Sequence, residues 1–216
     1  MTAFTIDKIS YREQNIQKSK QSIEIYKKIF KFNKLNVNLF YLTGWNLIQK
    51  LQSLSKLNEA IRYNIFLLNK FQHSNINLLN QLGISYLSLN RFKLAKECFL
   101  SVLNKYDSTN IVSMCHYAVV VKLYEKNLTK SIDYFEKCLE TLDKRVMDAR
   151  FFLHLGDALQ RLNRTDQAYV YYRIAADNKL FLSVNQRSIH NEPNLRSQAL
   201  WQPHETNYQK YLQVIF

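Results

Sequence analysis

The stretch "LNQLGISYLSLNRFKLAKECF", residues 79–99, decides the fold. Leu79, Leu82, Gly83 and Tyr86 fall at i, i+3, i+4 and i+7, the spacing of one face of an α-helix. Asn90-Arg91 then interrupts the pattern with a tight turn. A second apolar stripe follows in Leu94, Ala95, Cys98, Phe99, Val102 and Leu103. Two helices joined so closely run antiparallel. Gly83 on the first and Ala95 on the second lack bulk, so the pair can approach closely. Phe99 lies one turn beyond Ala95 on the same face and fills the space between neighbouring pairs.

The pattern recurs. Phe152, Leu155, Gly156 and Leu159 repeat the first half, and Ala168 with Tyr172 the second. A weaker copy ends in Ser131 and Phe135, an earlier one has Ala60 but Asn64 in the aromatic slot, and the first has Ser22 and Tyr26. The small residues stand at 22, 60, 95, 131 and 168, at intervals of 38, 35, 36 and 37. Order and period resemble the tetratricopeptide repeat, with Leu79 in the position usually held by tryptophan. The expected fold is all-α, a solenoid of antiparallel helix pairs over residues 1–180, clearest over 76–178. No single pair buries its own face, so stability comes from stacking. Asp107, Ser108, Thr109 and Asn110 supply cap chemistry ahead of one helix, and Asn163-Arg164 a second turn. Gly44 falls off the register.

Composition agrees. Three glycines and two prolines in 216 residues are too few for the turns of a sheet protein. Hydrophobic residues at 47% exclude wholesale disorder. The net charge of +13 comes from Lys and Arg scattered through the helices without a dense basic block, which argues against a nucleic-acid partner. Cys98, Cys115 and Cys138 are an odd set with no close pair, which reads as buried packing and not as a disulfide framework or a zinc signature. No signal peptide opens the chain and no run of about eighteen apolar residues spans a membrane.

The sequence holds no self-sufficient catalytic constellation: catalytic, cofactor-binding and metal-ligating residues are all read as none. The histidines are His73, His116, His154, His190 and His204. A facial iron triad wants a His and a carboxylate two apart, whereas Asp157 stands three after His154. On a helix those two share a face, and the expectation is a structural hydrogen bond. There is no glycine-rich phosphate loop, nucleophile elbow or HExxH.

Two segments point to one family. The first is Phe152-x-His154-Leu155-Gly156-Asp157-Ala158-x-Gln160-Arg161. The second carries Gln186-Arg187-Ser188, Asn191, Leu195, Gln198, Trp201, Pro203, Glu205-Thr206 and Tyr208. Together they resemble the aspartyl/asparaginyl β-hydroxylases, the first their last repeat and the second the connector to their catalytic domain. Order and spacing agree from about Asn15 onward. Leu200 and Ala199 replace a Trp and a Pro common in that connector, and Asn207 replaces a Gly.

The resemblance implies the following. Residues 181–216 form a connector leading toward an oxygenase domain. Pro203 breaks the helix pattern, and "ETNYQKYLQVIF" opens a new one. The family reaction is Fe(II)- and 2-oxoglutarate-dependent hydroxylation of Asp and Asn in EGF-like domains. The iron and 2-oxoglutarate belong to that oxygenase domain, with no cofactor in this chain, which is expected to be inactive alone. The partners are the oxygenase domain and EGF-like substrates. The setting is the endoplasmic reticulum membrane on its luminal side, with the membrane anchor outside this chain. The apolar ending Val214-Ile215-Phe216 favours a fragment over a polar cap. The rival expectation is a free-standing adaptor that binds a peptide in its concave groove. By likeness to other tetratricopeptide repeats, the first helix of each pair lines that groove, which nominates Asn77, Asn80, His116, Tyr124, Arg150, Asp157, Gln160 and Arg161. Asn127 and Asn163 head glycosylation sequons in expected turns.

Overall fold

The computed structural model describes residues 3–30, 36–71, 75–181 and 183–185. Among them every regular element is helical: α1 (Ala3–Phe30), α2 (Val37–Ser53), α3 (Leu57–Lys70), α4 (Ile76–Ser88), α5 (Phe92–Lys105), α6 (Ile111–Val120), a π-helical turn (Val121–Glu125), α7 (Leu128–Leu139), α8 (Ala149–Arg161) and α9 (Thr165–Asp177). The described residues cluster into two compact units, one running through Val120 and the other starting at Val121. The connector, with Trp201, Pro203 and the second family segment, lies outside the described residues, as do His73, His190 and His204.

The pairs are α2 with α3, α4 with α5, and α8 with α9, each joined by three residues. The three turns share one geometry. Ser55, Asn90 and Asn163 take left-handed φ of 57°, 56° and 59°. The next amide in each donates back to the carbonyl five residues earlier: Lys56 to Leu51 (2.8 Å), Arg91 to Tyr86 (2.9 Å) and Arg164 to Leu159 (2.9 Å). This closes the helix by the Schellman route, ordinarily the place of glycine. Asparagine tolerates the left-handed region, and the chain uses it here with few glycines to spare. Asparagine also begins helices. The side chains of Asn36, Asn75, Asn110 and Asn127 accept amide hydrogens from Asn38, Leu78, Ser113 and Lys130 at 2.9–3.1 Å. Part of the abundance of Asn is therefore capping chemistry.

The small-residue register holds at four of its five positions: Ala60, Ala95, Ser131 and Ala168 are fully buried, whereas Ser22 is half-buried and its hydroxyl donates to the Ser19 carbonyl of its own helix. A Cβ added at Gly83 would lie 2.6 Å from the Phe99 ring, and one at Gly156 would collide with the Tyr172 ring. In both pairs the glycine faces the aromatic four residues past the small residue, as the spacing predicts. Gly44, off the register, is still a point of close approach. Its added Cβ would stand 2.7 Å from Leu67 and 2.9 Å from Phe30. The register position is Ile48, so Gly44 lies one helical turn earlier on the same face.

In the first unit Leu47, Ile48, Leu51, Leu67 and Leu78 are fully buried. Lys27 of α1 reaches Glu59 of α3 at 2.6 Å, and that hydrogen bond raises the lysine's pKa. Asn64, in the aromatic slot of its repeat, is fully buried with neither side-chain atom hydrogen-bonded. In the second unit Ile132, Phe135, Phe152, Leu155 and Tyr172 form the interior. All three cysteines are buried, as expected, but Cys98 alone is a free thiol. Cys115 and Cys138 are not free thiols, which corrects the reading of all three as packing thiols.

Candidate functional site

The polar centre of the second unit is built around Lys122. It sits in the apolar run Ala118-Val119-Val120-Val121-Lys122-Leu123 and on the π-helical turn. Its side chain is 5% exposed. A lysine so placed needs partners for its charge. Its ammonium donates to the His154 carbonyl at 2.7 Å and pairs with Asp157 at 2.6 Å. The His154 Nδ1 stands 3.5 Å away. Burial lowers the lysine's pKa, and the Asp157 carboxylate partly offsets that.

Asp157 is shared. Its carboxylate also takes the Arg161 guanidinium at 3.1 Å, one turn along α8. Burial by itself would raise the Asp157 pKa, but hydrogen bonds from Lys122 and Arg161 outweigh it and hold the carboxyl below its ordinary value. The His154 ring stacks on Phe135, with centroids 6.4 Å apart and planes within 9°. Burial, reinforced by the Lys122 ammonium, pushes its pKa down to about 4, so the ring is neutral at physiological pH. His154 and Asp157 do share a face of α8. The hydrogen-bond partner of Asp157 across that face is Lys122, however, and not the histidine.

These side chains floor an open cleft of ≈ 430 Å³. Lys126 stands at its rim, and Leu123 and Leu128 give it apolar wall. Lys126 carries a left-handed φ of 58°, as Ser55, Asn90, Leu142, Asn163 and Lys179 do in other turns. It is exposed and makes no ion pair among the described residues.

Of the eight nominated groove residues, Asp157 and Arg161 line this cleft. In the same unit Tyr124 is exposed on the π turn. Arg150 pairs with Asp148, the N-cap of its own helix, at 2.5 Å. Gln160 accepts from the Tyr172 hydroxyl at 3.3 Å. In the first unit Asn77 is exposed on α4. Asn80 is buried and offers the surface no donor. It donates to Asn110 at 3.2 Å and accepts from Ser113 at 2.6 Å, tying α4 to the start of α6. His116 is half-buried, its ring stacked on Phe99 at 5.5 Å.

His116 and His154 thus repeat one arrangement, each packed on the aromatic of the preceding small-residue motif. Ala118 follows His116 by two, as Gly156 follows His154. Gly83 and Gly156 precede their Ala partners by twelve residues (95 less 83, 168 less 156), whereas Ala118 precedes Ser131 by thirteen. The π turn accommodates the added residue, which is why this repeat reads as weak in the sequence. Sequence reasoning passed over Lys122 and Lys126. The available signal was a cation inside an apolar run.

Among the described residues no group of three His, Cys, Asp or Glu side chains could hold a metal ion. No helix among them is long and apolar enough to cross a membrane.

Helix pairs, small-residue contacts and left-handed turns define the class: this is a tetratricopeptide-repeat protein. The tetratricopeptide repeat family model matches residues 76–104. Within that class the chain is related in sequence to the aspartyl/asparaginyl β-hydroxylases. It is 36% identical to the mouse (Mus musculus) aspartyl/asparaginyl beta-hydroxylase over 135 residues, 62% of this chain and 18% of that protein. To the human (Homo sapiens) one it is 35% identical over 131 residues, 61% and 17%. The match spans less than a fifth of either relative. Among solved structures, MamA 41-end from Desulfovibrio magneticus RS-1 superposes with a TM-score of 0.59 at 16% identity, covering 80% of this chain and 92% of that one. A tetratricopeptide repeat protein from Parabacteroides merdae gives 0.58 at 18%, covering 80% and 64%. At such identity these show the fold alone.

Proposed function

We propose that this chain is the helical-repeat module of an aspartyl/asparaginyl β-hydroxylase-like protein, supporting an oxygenase domain and helping to hold its EGF-like substrate. The observation that carries the reading is the sequence likeness to the mouse hydroxylase across α-helical repeats. The exposed part of the Lys122–Asp157–Arg161 cleft supports it, as a polar seat for a partner. Hydroxylation of Asp or Asn by Fe(II) and 2-oxoglutarate is the work of the oxygenase domain, and the residues described here bind and position. A luminal setting follows the same likeness. It is supported by the sequon residues Asn127 and Asn163, both exposed in turns and open to glycan transfer.

Two measurements test this. Titration of an EGF-like domain into the purified chain should show saturable binding, and its absence would sink the module reading. Succinate release with Fe(II), 2-oxoglutarate, ascorbate and the same substrate should stay at the buffer level for this chain. It should rise when a hydroxylase oxygenase domain is joined after Phe216. Turnover by the chain alone, abolished by His154→Ala, would place chemistry in these repeats instead.

A further inference from the structure

A groove of ≈ 460 Å³ opens between α7 and α9, the second helices of their pairs, and no residue nominated for the concave groove lines it. Its walls are mostly apolar. Leu139 is buried, Leu142 is 44% exposed, and Ile174 and half-buried Tyr171 stand on α9.

The end of α7 gives this apolar groove a negative rim. Glu136 and Glu140 lie one turn apart there, and like charges at that spacing repel. Glu140 is also the C-cap of the helix, where the terminal carbonyls carry the negative end of the helix dipole and ordinarily attract a cation. It is exposed and makes no ion pair among the described residues. Glu136 is met by Arg164 at 3.6 Å, and Lys137 is the cation among the lining residues. The carboxylates are felt across the groove. Burial first, then Glu136 and Glu140, raises the pKa of the Tyr171 hydroxyl on α9. Each of these placements costs stability in the isolated chain, and each would be relieved by one added cation.

We propose that this groove docks a basic amphipathic segment of a protein partner. One Lys or Arg meets Glu140, and its stem and an apolar neighbour one helical turn away lie on Leu139, Leu142 and Ile174. Charge decides between occupants. The chain carries +13, so a partner drawn by net charge would be acidic, and a second copy of the chain is repelled as a whole. A basic segment is held by the local carboxylates alone. At physiological salt the screening length is about 8 Å, which leaves that contact in force and weakens the repulsion from distant cations. This surface is separate from the hydroxylase reading and does not rest on it.

The test uses the full chain and a fluorescein-labelled helical peptide with Leu and Lys on one face, read by fluorescence anisotropy at physiological salt. The Lys peptide should bind, and its Gln-for-Lys counterpart should not. Glu140→Lys should weaken binding roughly tenfold, and Leu142→Ser severalfold. Glu97→Lys makes the same charge change on α5, outside the groove, and should leave binding within about twofold. Thermal unfolding by circular dichroism verifies that each variant folds; Glu140→Gln, which only removes the charge, replaces the reversal if that one does not. No binding by wild type, equal binding of the Gln peptide, equal losses for Glu97→Lys, or unchanged binding in both groove variants would each overturn the proposal. So would release of the peptide by calcium chloride far beyond that by sodium chloride of equal ionic strength, which would make the groove a metal-ion site.

Discussion

Asn64→Leu should make this protein more stable. Asn64 is fully buried in the slot that Phe99, Phe135 and Tyr172 fill in other repeats, and neither its amide nitrogen nor its carbonyl oxygen has a partner. Ala60, Ile61, Leu67 and Leu68 on the same helix are buried beside it in sequence. An unsatisfied buried amide costs about 1–3 kcal/mol relative to a satisfied or apolar side chain. Leucine keeps the branched four-heavy-atom skeleton of asparagine, with methyls bulkier than the amide atoms, so the replacement removes the polar cost and opens no cavity, against a smaller packing cost. The expected gain is about 1–3 kcal/mol. At 2–4 °C per kcal/mol for a chain of this size, that raises Tm by roughly 2–12 °C. Thermal and urea unfolding, followed by circular dichroism, measure it. Asn64→Ala gives up the polar cost but opens a cavity and should fall short of Leu. Asn64→Asp puts a charge in the same place and should destabilise. A leucine variant that melts at or below wild type would refute the reasoning, because the amide would then have a partner such as a buried water.

Other expectations follow from the same contacts. Gly83→Leu drives a side chain into the fully buried Phe99 ring and should cost about 1–3 kcal/mol; a companion Phe99→Leu should recover part of that loss, and an unchanged Tm in the single variant would contradict the register. His154, with its pKa depressed to about 4 from 6.5, is neutral when folded while the unfolded chain takes up a proton. Its contribution is therefore complete above pH 6.5 and is lost as pH falls from 6.5 toward 4, at up to about 1.4 kcal/mol per pH unit. Urea midpoints measured across that window should slope in wild type and flatten in His154→Gln. Expressed through the secretory pathway, the chain should carry glycosidase-sensitive mass that disappears in Asn127→Gln with Asn163→Gln; no such mass on the wild-type protein would count against the luminal setting.

The sequence by itself determined what is local or periodic. Gly83, Ala95 and Phe99 specify a helix pair because their spacing puts them on facing sides of adjacent turns. The same spacing at Gly156, Ala168 and Tyr172 requires the same pair. Asn90 and Asn163 mark the turns because Asn is enriched in the left-handed backbone that closes these helices, although Ser55 and Lys126 show that other residues accept it here. Tertiary structure alone decided the rest, since it depends on partners far away in the chain. Lys122 is tolerable in an apolar run only because Asp157, thirty-five residues on, reaches it. Asn80, nominated for the groove, is instead held inside by Ser113 and Asn110, thirty-three and thirty residues away. The π turn shifts its repeat by one residue, so the equivalence of Ala118 with Gly156 is visible only when His116 and His154 are seen stacked on their aromatics. Helix spacing is written in neighbours three and four apart. Charge pairing, burial and close approach between helices are set by three-dimensional distance, which one-dimensional spacing does not record.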